Sequence, residues 1–182
     1  IDQFDKNNPL KRYRGDVYYE MNNLSRLFSA MKKEGWTSTY LVEQIDRYIA
    51  EIPTRDEFVY KKKYKQFEAG ALKQGLVDAA MEKMEKLKAA VIAFDAYQAL
   101  MKSHSRYDFD DMINWVITAF KENKNLLAQY QEKYLYILVD EYQDTSGTQN
   151  ELVQLLVNYW DQPNLFVVGD DDQSIFRFQG AN

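Results

Sequence analysis

The sequence has no cysteine, one histidine and three prolines in 182 residues. The absence of cysteine excludes disulfides, thiolate metal ligands and a cysteine nucleophile. The single histidine, His104, excludes a metal site built from several imidazoles. No apolar run approaches the about 20 residues of a membrane-spanning helix, and no secretory signal pattern is visible. We therefore expect a protein without a membrane partner in a reducing, cytoplasmic compartment.

The charge balance limits how the chain meets nucleic acid. The net charge is -5, whereas a dedicated nucleic-acid domain is usually basic, so any such contact must come from a local patch. Hydrophobic residues make up 46% of the chain and charged residues 28%, which is enough apolar surface for a folded core.

Helical periodicity dominates from about residue 20 to residue 133, where apolar residues recur at three- and four-residue steps. Pro53 ends the second helix of this series. The capping-box pattern Thr54–Glu57 predicts that a third helix starts there and runs to Gly70. Asp108 is predicted to cap a later helix.

The pattern changes near residue 135. Leu135–Val139 and Leu165–Val168 are short apolar runs, typical of strands covered on both faces, and an amphipathic helix lies between them. Strand, helix and strand form the crossover unit of a parallel α/β sheet, whose other strands we expect outside this sequence. The predicted fold class is mainly α with a partial α/β unit, in which residues 1–106 form a helical subdomain and residues 107–182 part of an α/β domain.

Acidic residues follow both predicted strands. Asp140 and Glu141 come after the first strand, and Asp170, Asp171 and Asp172 come after the second. Ligands of α/β sheets bind beyond the carboxyl ends of strands, and adjacent carboxylates repel unless a cation lies near. Mg²⁺ bound together with phosphate is the simplest such cation. This combination suggests phosphoryl transfer, in which one acid of the pair holds the metal and the other takes a proton from the attacking water. The alternative is that these acids are turn residues or helix caps in solvent.

Three motifs resemble one family. Asp140–Thr145 resembles the Walker B motif of superfamily 1 DNA helicases of the UvrD/Rep/PcrA type, and Val167–Asn182 resembles motif III of that family. Tyr107–Met112 resembles the acidic and aromatic segment that precedes Walker B in the family. The resemblance implies that residues 1–106 are a helical insertion, subdomain 1B, and that residues 107–182 are part of the first RecA-like ATPase domain, 1A.

The resemblance also implies roles for single residues of the ATP site. Asp140 would hold Mg²⁺, usually through water, and Glu141 would polarise the water that attacks the γ-phosphate. Gln143 would help to order the site. Gln173 would sense the γ-phosphate and link the nucleotide state to the grip on DNA.

Motif III implies DNA contacts as well. Phe176 and Phe178 stand where the family has aromatic residues that stack on single-stranded bases, although isolated phenylalanines more often pack in a core. The family often has Tyr and Trp at these two positions, and often Arg where this chain has Gln179. Arg177 is a candidate for the phosphate contact that this arginine would make.

The implied activity is that of an ATP-dependent 3′–5′ DNA helicase or translocase acting in DNA repair or recombination. Its ligands would be Mg²⁺, ATP, and single-stranded and forked DNA, and it would need a second RecA-like domain. A phosphate-binding loop is missing, because Gly70–Gly75 is followed by Leu76 and Val77 instead of Lys and Ser or Thr. We expect this loop upstream of Ile1 and expect the chain alone to be inactive.

The sequence is also compatible with other functions. One alternative is a non-enzymatic helical module that docks DNA or protein and has a decayed nucleotide site. A helicase joined to a nuclease has the same motifs in this stretch. The basic run Lys61–Lys65 would either contact duplex phosphates or form a solvated helix face.

Overall fold

The computed structural model describes residues 8–11, 17–65 and 67–170, with the backbone alone for residues 11 and 17–19. The predicted fold class, mainly α with a partial α/β unit, is confirmed. Within the described residues, no helix has the length and apolar character needed to cross a bilayer. In chain order the helices and strands are α1 (Val17–Glu34), α2 (Ser38–Glu51), α3 (Gln74–Ser103), α4 (Phe109–Glu122), α5 (Lys124–Lys133), β1 (Ile137–Val139), α6 (Gly147–Val157) and β2 (Leu165–Val167).

The chain divides into two compact units. The first contains the described residues up to Ser25 together with Thr37–Leu100, and the second contains Arg26–Trp36 and the described residues from Met101 onward. Helix α1 therefore begins in the first unit and ends in the second. The domain boundary at residue 106 stays a prediction. In the structure, Arg26–Trp36 belongs to the second unit.

The first unit corrects the prediction of a third helix over residues 54–70. Ile52–Thr54 is a 3-10 turn. The chain then runs out and back as two antiparallel segments, in which Val59 pairs with Leu72. The reason is tertiary: Phe58 is 7% exposed and packs in a cluster with Ile52 and Val77. Burial of Phe58 and the backbone hydrogen bonds between the two antiparallel segments override the local capping pattern. The basic run 61–65 therefore does not lie on a helix.

The second unit confirms the prediction that Asp108 caps a helix. The Asp108 carboxylate accepts a hydrogen bond from the Asp111 N–H at 3.0 Å, and the Asp111 carboxylate accepts one from the Asp108 N–H at 3.1 Å. This reciprocal capping box starts α4. At the end of α1, Gly35 has a φ of +66° and the Trp36 N–H donates to the Met31 carbonyl at 2.9 Å, which closes the helix.

Strands β1 and β2 pair in parallel, with Ile137 opposite Leu165 and Val139 opposite Val167. This pairing confirms the predicted strand–helix–strand unit. Its faces are less covered than the apolar runs predicted, since Leu138 is 74% and Phe166 63% exposed among the described residues.

Candidate active site

Backbone hydrogen bonds continue past the ends of both strands. The Val168 N–H donates to the Val139 carbonyl at 2.8 Å, and the Tyr142 N–H donates to the Val168 carbonyl at 3.0 Å. These bonds hold the loop after β1 beside the loop after β2. Asp140 and Glu141 therefore lie at the carboxyl-end edge of the sheet, where ligands of α/β proteins bind.

Glu141 has a strained backbone. Its φ of +51° and ψ of +45° lie in the left-handed region, which costs a residue with a Cβ about 1–2 kcal/mol. The Glu141 N–H donates to the Asp140 carboxylate at 2.9 Å, and the 3-10 turn Tyr142–Asp144 follows at once. Both carboxylates stay exposed. Strain of this kind concentrates at functional sites. No pattern in the sequence predicted the left-handed backbone of Glu141.

Gln143 joins the two loops. Its Nε2 donates to Glu141 Oε2 at 2.6 Å, and its Oε1 accepts from the Asp170 N–H at 3.0 Å. Because only the amide oxygen can accept, the second bond fixes the orientation of the amide and directs its NH₂ group at the carboxylate. Gln143 thereby ties the acid that follows β1 to the backbone that follows β2.

Gly169 makes this junction possible. A Cβ at this position would lie 2.7 Å from Gln143 Oε1 and 3.1 Å from both the Cβ and the backbone N of Tyr142. The amide end of Gln143 can move, but the Tyr142 backbone cannot do so easily. The sequence predicted only that a strand ends at Gly169. Its close approach to Tyr142 and Gln143 is visible in the structure alone.

We expect Gly169→Ala to destabilise the protein by about 1–3 kcal/mol, the usual cost of forcing an extra carbon into a packed contact. Gly75→Ala is the matched control, since its Cβ would meet nothing within 4 Å at the start of α3. Alanine there should stabilise the protein by about 0.4–1 kcal/mol, since it restricts the unfolded chain more than glycine does. Thermal unfolding should shift down for the first variant and up for the second. A melting temperature of Gly169→Ala at or above the wild-type value would contradict the contact.

The residues that follow Asp140 and Glu141 are also held in place, at the start of α6. Ser146 caps α6 in a capping box with Gln149, and Thr145 Oγ1 donates to the Tyr142 carbonyl at 2.7 Å. Thr148 is 2% exposed and its Oγ1 donates to the Lys33 carbonyl at 2.9 Å. The loop is therefore held between the two strands and the end of α1, which limits how far the carboxylates can move.

The donor set fits a cation that arrives with a phosphate ligand. Among residues 8–11, 17–65 and 67–170, no group of three or more His, Cys, Asp or Glu side chains is arranged to hold a metal ion. Mg²⁺ commonly takes one or two carboxylates, several waters and substrate phosphates instead of a full protein cage. An exposed Asp140 beside Glu141 meets that requirement.

The structure brings together Asp140, Glu141, Gln143 and the backbone of Asp170. The remaining predicted site residues lie outside the described residues: Asp171, Asp172, Gln173, Phe176, Arg177 and Phe178. Their roles stay predictions.

Fold and site together define a mainly helical protein that carries part of a parallel α/β unit with an acidic site at the strand ends. Residues 7–182 match the model of the UvrD/REP helicase N-terminal domain. The chain belongs to the UvrD/Rep helicase family, as its motifs indicated.

Curated relatives carry the same family names. The chain is 44% identical over 89 residues to the putative ATP-dependent DNA helicase YjcD of Bacillus subtilis, and 46% identical over 89 residues to the ATP-dependent DNA helicase PcrA of Leuconostoc citreum. Each match covers 49% of this chain and 12% of the relative. A probable DNA helicase of Mycoplasma pneumoniae is 31% identical over 190 residues, which cover 95% of this chain and 35% of that protein. The chain thus spans a minor part of each of these relatives.

Proposed function

We propose that this chain is part of an ATP-dependent DNA helicase that moves 3′ to 5′ along single-stranded DNA and acts in DNA repair or recombination in the cytoplasm. The observation that carries the proposal is the Gln143 bridge, because it ties an exposed acidic pair after one strand to the backbone after the next. Nucleotide phosphates bind at this edge in α/β proteins. The names of the relatives support its coarser part, an ATP-dependent DNA helicase.

In the proposed reaction, Asp140 would hold Mg²⁺, which would neutralise charge on the phosphates when bound. Glu141 accepts a proton from the attacking water. The water oxygen forms a bond to the γ-phosphorus, while the bond between that phosphorus and the β–γ bridging oxygen breaks and ADP leaves with the electron pair. The hydrogen bond from Gln143 keeps the Glu141 side chain in one orientation for this step.

The proposal extends to motif III and to the rest of the enzyme. Gln173 senses the γ-phosphate, Phe176 and Phe178 stack on single-stranded bases, and Arg177 contacts phosphate. A phosphate-binding loop and a second RecA-like domain complete the site in the full-length protein that contains this chain. We expect the 182-residue chain alone to be inactive.

Rates of ATP hydrolysis test this proposal directly. The full-length protein should hydrolyse ATP with Mg²⁺, faster with single-stranded DNA, and should unwind a duplex with a 3′ tail better than one with a 5′ tail. The 182-residue chain should do neither. No hydrolysis by the full-length protein would favour a docking module with a decayed site. Preference for the 5′ tail would contradict the polarity, and hydrolysis by the chain alone would contradict its incompleteness.

A further inference from the structure

The segment that replaces the predicted third helix is a surface hairpin, here called the aromatic hairpin, formed by residues 58–65 and 67–73. Tyr64 pairs with Phe67 in an antiparallel bridge, with reciprocal backbone hydrogen bonds of 2.9 Å in both directions. The Tyr60 N–H donates to the Ala71 carbonyl at 3.0 Å. Lys65 adopts a φ of +53° after Tyr64, as hairpin turns require.

Three aromatic rings of the hairpin lie nearly parallel. The ring centroids of Tyr60 and Phe67 are 5.0 Å apart with 10° between the planes, and those of Tyr60 and Tyr64 are 6.0 Å apart with 9° between the planes. Tyr64 is 54% exposed and Phe67 36% exposed. Tyr60 is half-buried between them. Packing of the hairpin therefore accounts for Tyr60, whereas much of the Tyr64 ring faces water.

The hairpin is also basic. Residues 58–73 contain five Lys and one Glu, in a chain whose net charge is -5. Lys65 Nζ lies 5.4 Å from the centroid of the Tyr64 ring, and Lys73 Nζ lies 5.7 Å from that of Tyr60. Lys61 and Lys63 pair with exposed carboxylates, and such surface pairs contribute little and exchange easily. Lysines thus lie beside the parallel rings, of which Tyr64 and Phe67 are exposed.

We propose that the aromatic hairpin binds single-stranded nucleic acid, with the rings of Tyr64 and Phe67 stacking on bases and the lysines contacting phosphates. A single strand offers free base faces to an aromatic side chain, and a basic surface follows its backbone. A duplex offers only base edges along its grooves, to which flat rings are poorly suited. This site lies apart in sequence from the proposed stacking residues Phe176 and Phe178, and it does not depend on ATP hydrolysis.

Equilibrium binding without nucleotide tests the proposal in the full-length protein. The probes are fluorescein-labelled 20-mers of thymidine and of uridine and a 20-base-pair DNA duplex, measured by anisotropy at several salt concentrations. Tyr64→Leu keeps an apolar side chain but removes the ring, and Tyr64→Phe retains the ring. Tyr40→Ala is the control, since Tyr40 is 46% exposed on α2 of the same unit.

We expect Tyr64→Leu to weaken binding of a single strand about 5- to 100-fold, Tyr64→Phe to bind like wild type, and Tyr40→Ala to change nothing. The strand with the larger loss, deoxyribose or ribose, is the ligand. Lys62→Ala should make the negative slope of log K against log salt shallower by about 0.7 on a single strand. Binding of Tyr64→Leu within twofold of wild type, or a loss confined to the duplex, would overturn the proposal.

Photocrosslinking provides a readout that requires no variant. A single strand carrying 5-iodouracil should crosslink to Tyr64 or Phe67 of the wild-type protein, with the site read by mass spectrometry. Crosslinks that exclude residues 58–73 would overturn the proposal even if Tyr64→Leu failed to fold. A protein without ATPase activity would still give the crosslink, so failure of the proposed enzymatic function is distinguishable.

Discussion

Glu141→Gln in the full-length protein is expected to slow ATP hydrolysis by about 10²- to 10⁴-fold, the usual contribution of a positioned general base. Glutamine has nearly the same shape but cannot accept the proton of the attacking water. The left-handed backbone and the exposed position of Glu141 do not depend on its charge, so the fold should be retained. Affinity for ATP should stay within a few-fold of wild type, because Asp140 is unchanged.

Single-turnover hydrolysis and nucleotide binding should be measured together, so that a loss of the chemical step is separated from a loss of binding. Glu122→Gln is the control, an exposed glutamate at the end of α4. It should hydrolyse ATP at the wild-type rate. A Glu141→Gln protein that retains more than a tenth of the wild-type rate would contradict the proposed role of Glu141.

A companion variant tests the Gln143 bridge. Gln143→Glu can still accept the hydrogen bond from the Asp170 N–H but cannot donate to Glu141. Two carboxylates would then face each other across a 2.6 Å contact and repel. We expect kcat to fall at least about tenfold through displacement of Glu141, and the ratio of the variant kcat to the wild-type kcat to recover as pH falls and the introduced carboxyl takes the shared proton. A ratio that does not change with pH would contradict this electrostatic explanation.

Much of the fold was predictable because it follows local rules. Asp108 followed by Asp111 is a capping box in sequence and in structure. The apolar runs that became β1 and β2 are short and continuous, and their parallel pairing follows from the helix between them. The acids after each strand could therefore be assigned to one edge of the sheet from sequence alone.

Features that depend on distant contacts were missed. Thr54–Glu57 has the residues of a helix start, but burial of Phe58 against Ile52 and Val77 selects a hairpin instead. The left-handed backbone of Glu141 arises where the chain leaves a paired strand and enters a 3-10 turn. Neither has a composition signal, because the first depends on the tertiary packing of Phe58 and the second on the path of the backbone after β1.

Lys32→Met is expected to destabilise the second unit by about 3–5 kcal/mol, the usual cost of removing one member of a buried ion pair. Lys32 is 3% exposed, and its Nζ contacts the carboxylates of Asp108 at 2.7 Å and Asp111 at 2.9 Å. Asp111 is 5% exposed. Methionine fills a similar volume, so the loss comes from the charge and not from a cavity. Unfolding by urea, followed by circular dichroism, measures it.

The Lys32 contribution should also depend on pH. Burial acts to lower the pKa of Lys32, but the hydrogen bonds to Asp108 and Asp111 and their negative charges outweigh it and raise the pKa above 10.5. A group with a raised folded-state pKa stabilises fully below its unfolded pKa and loses that contribution as pH rises through the folded value. The stability difference between wild type and Lys32→Met should therefore be constant from about pH 6 to 9 and shrink above about pH 10.5.

Two further variants decide whether charge is the cause. Lys121→Met removes an exposed lysine that pairs with Glu151, and should cost no more than about 1 kcal/mol. Adding Asp111→Asn to Lys32→Met removes the buried negative charge that Lys32 neutralised while keeping an oxygen that can accept the Asp108 N–H, so the double variant should be more stable than Lys32→Met alone. If it is less stable, Lys32 contributes through packing of its side chain, and the buried ion pair is not what holds the end of α1 against the start of α4.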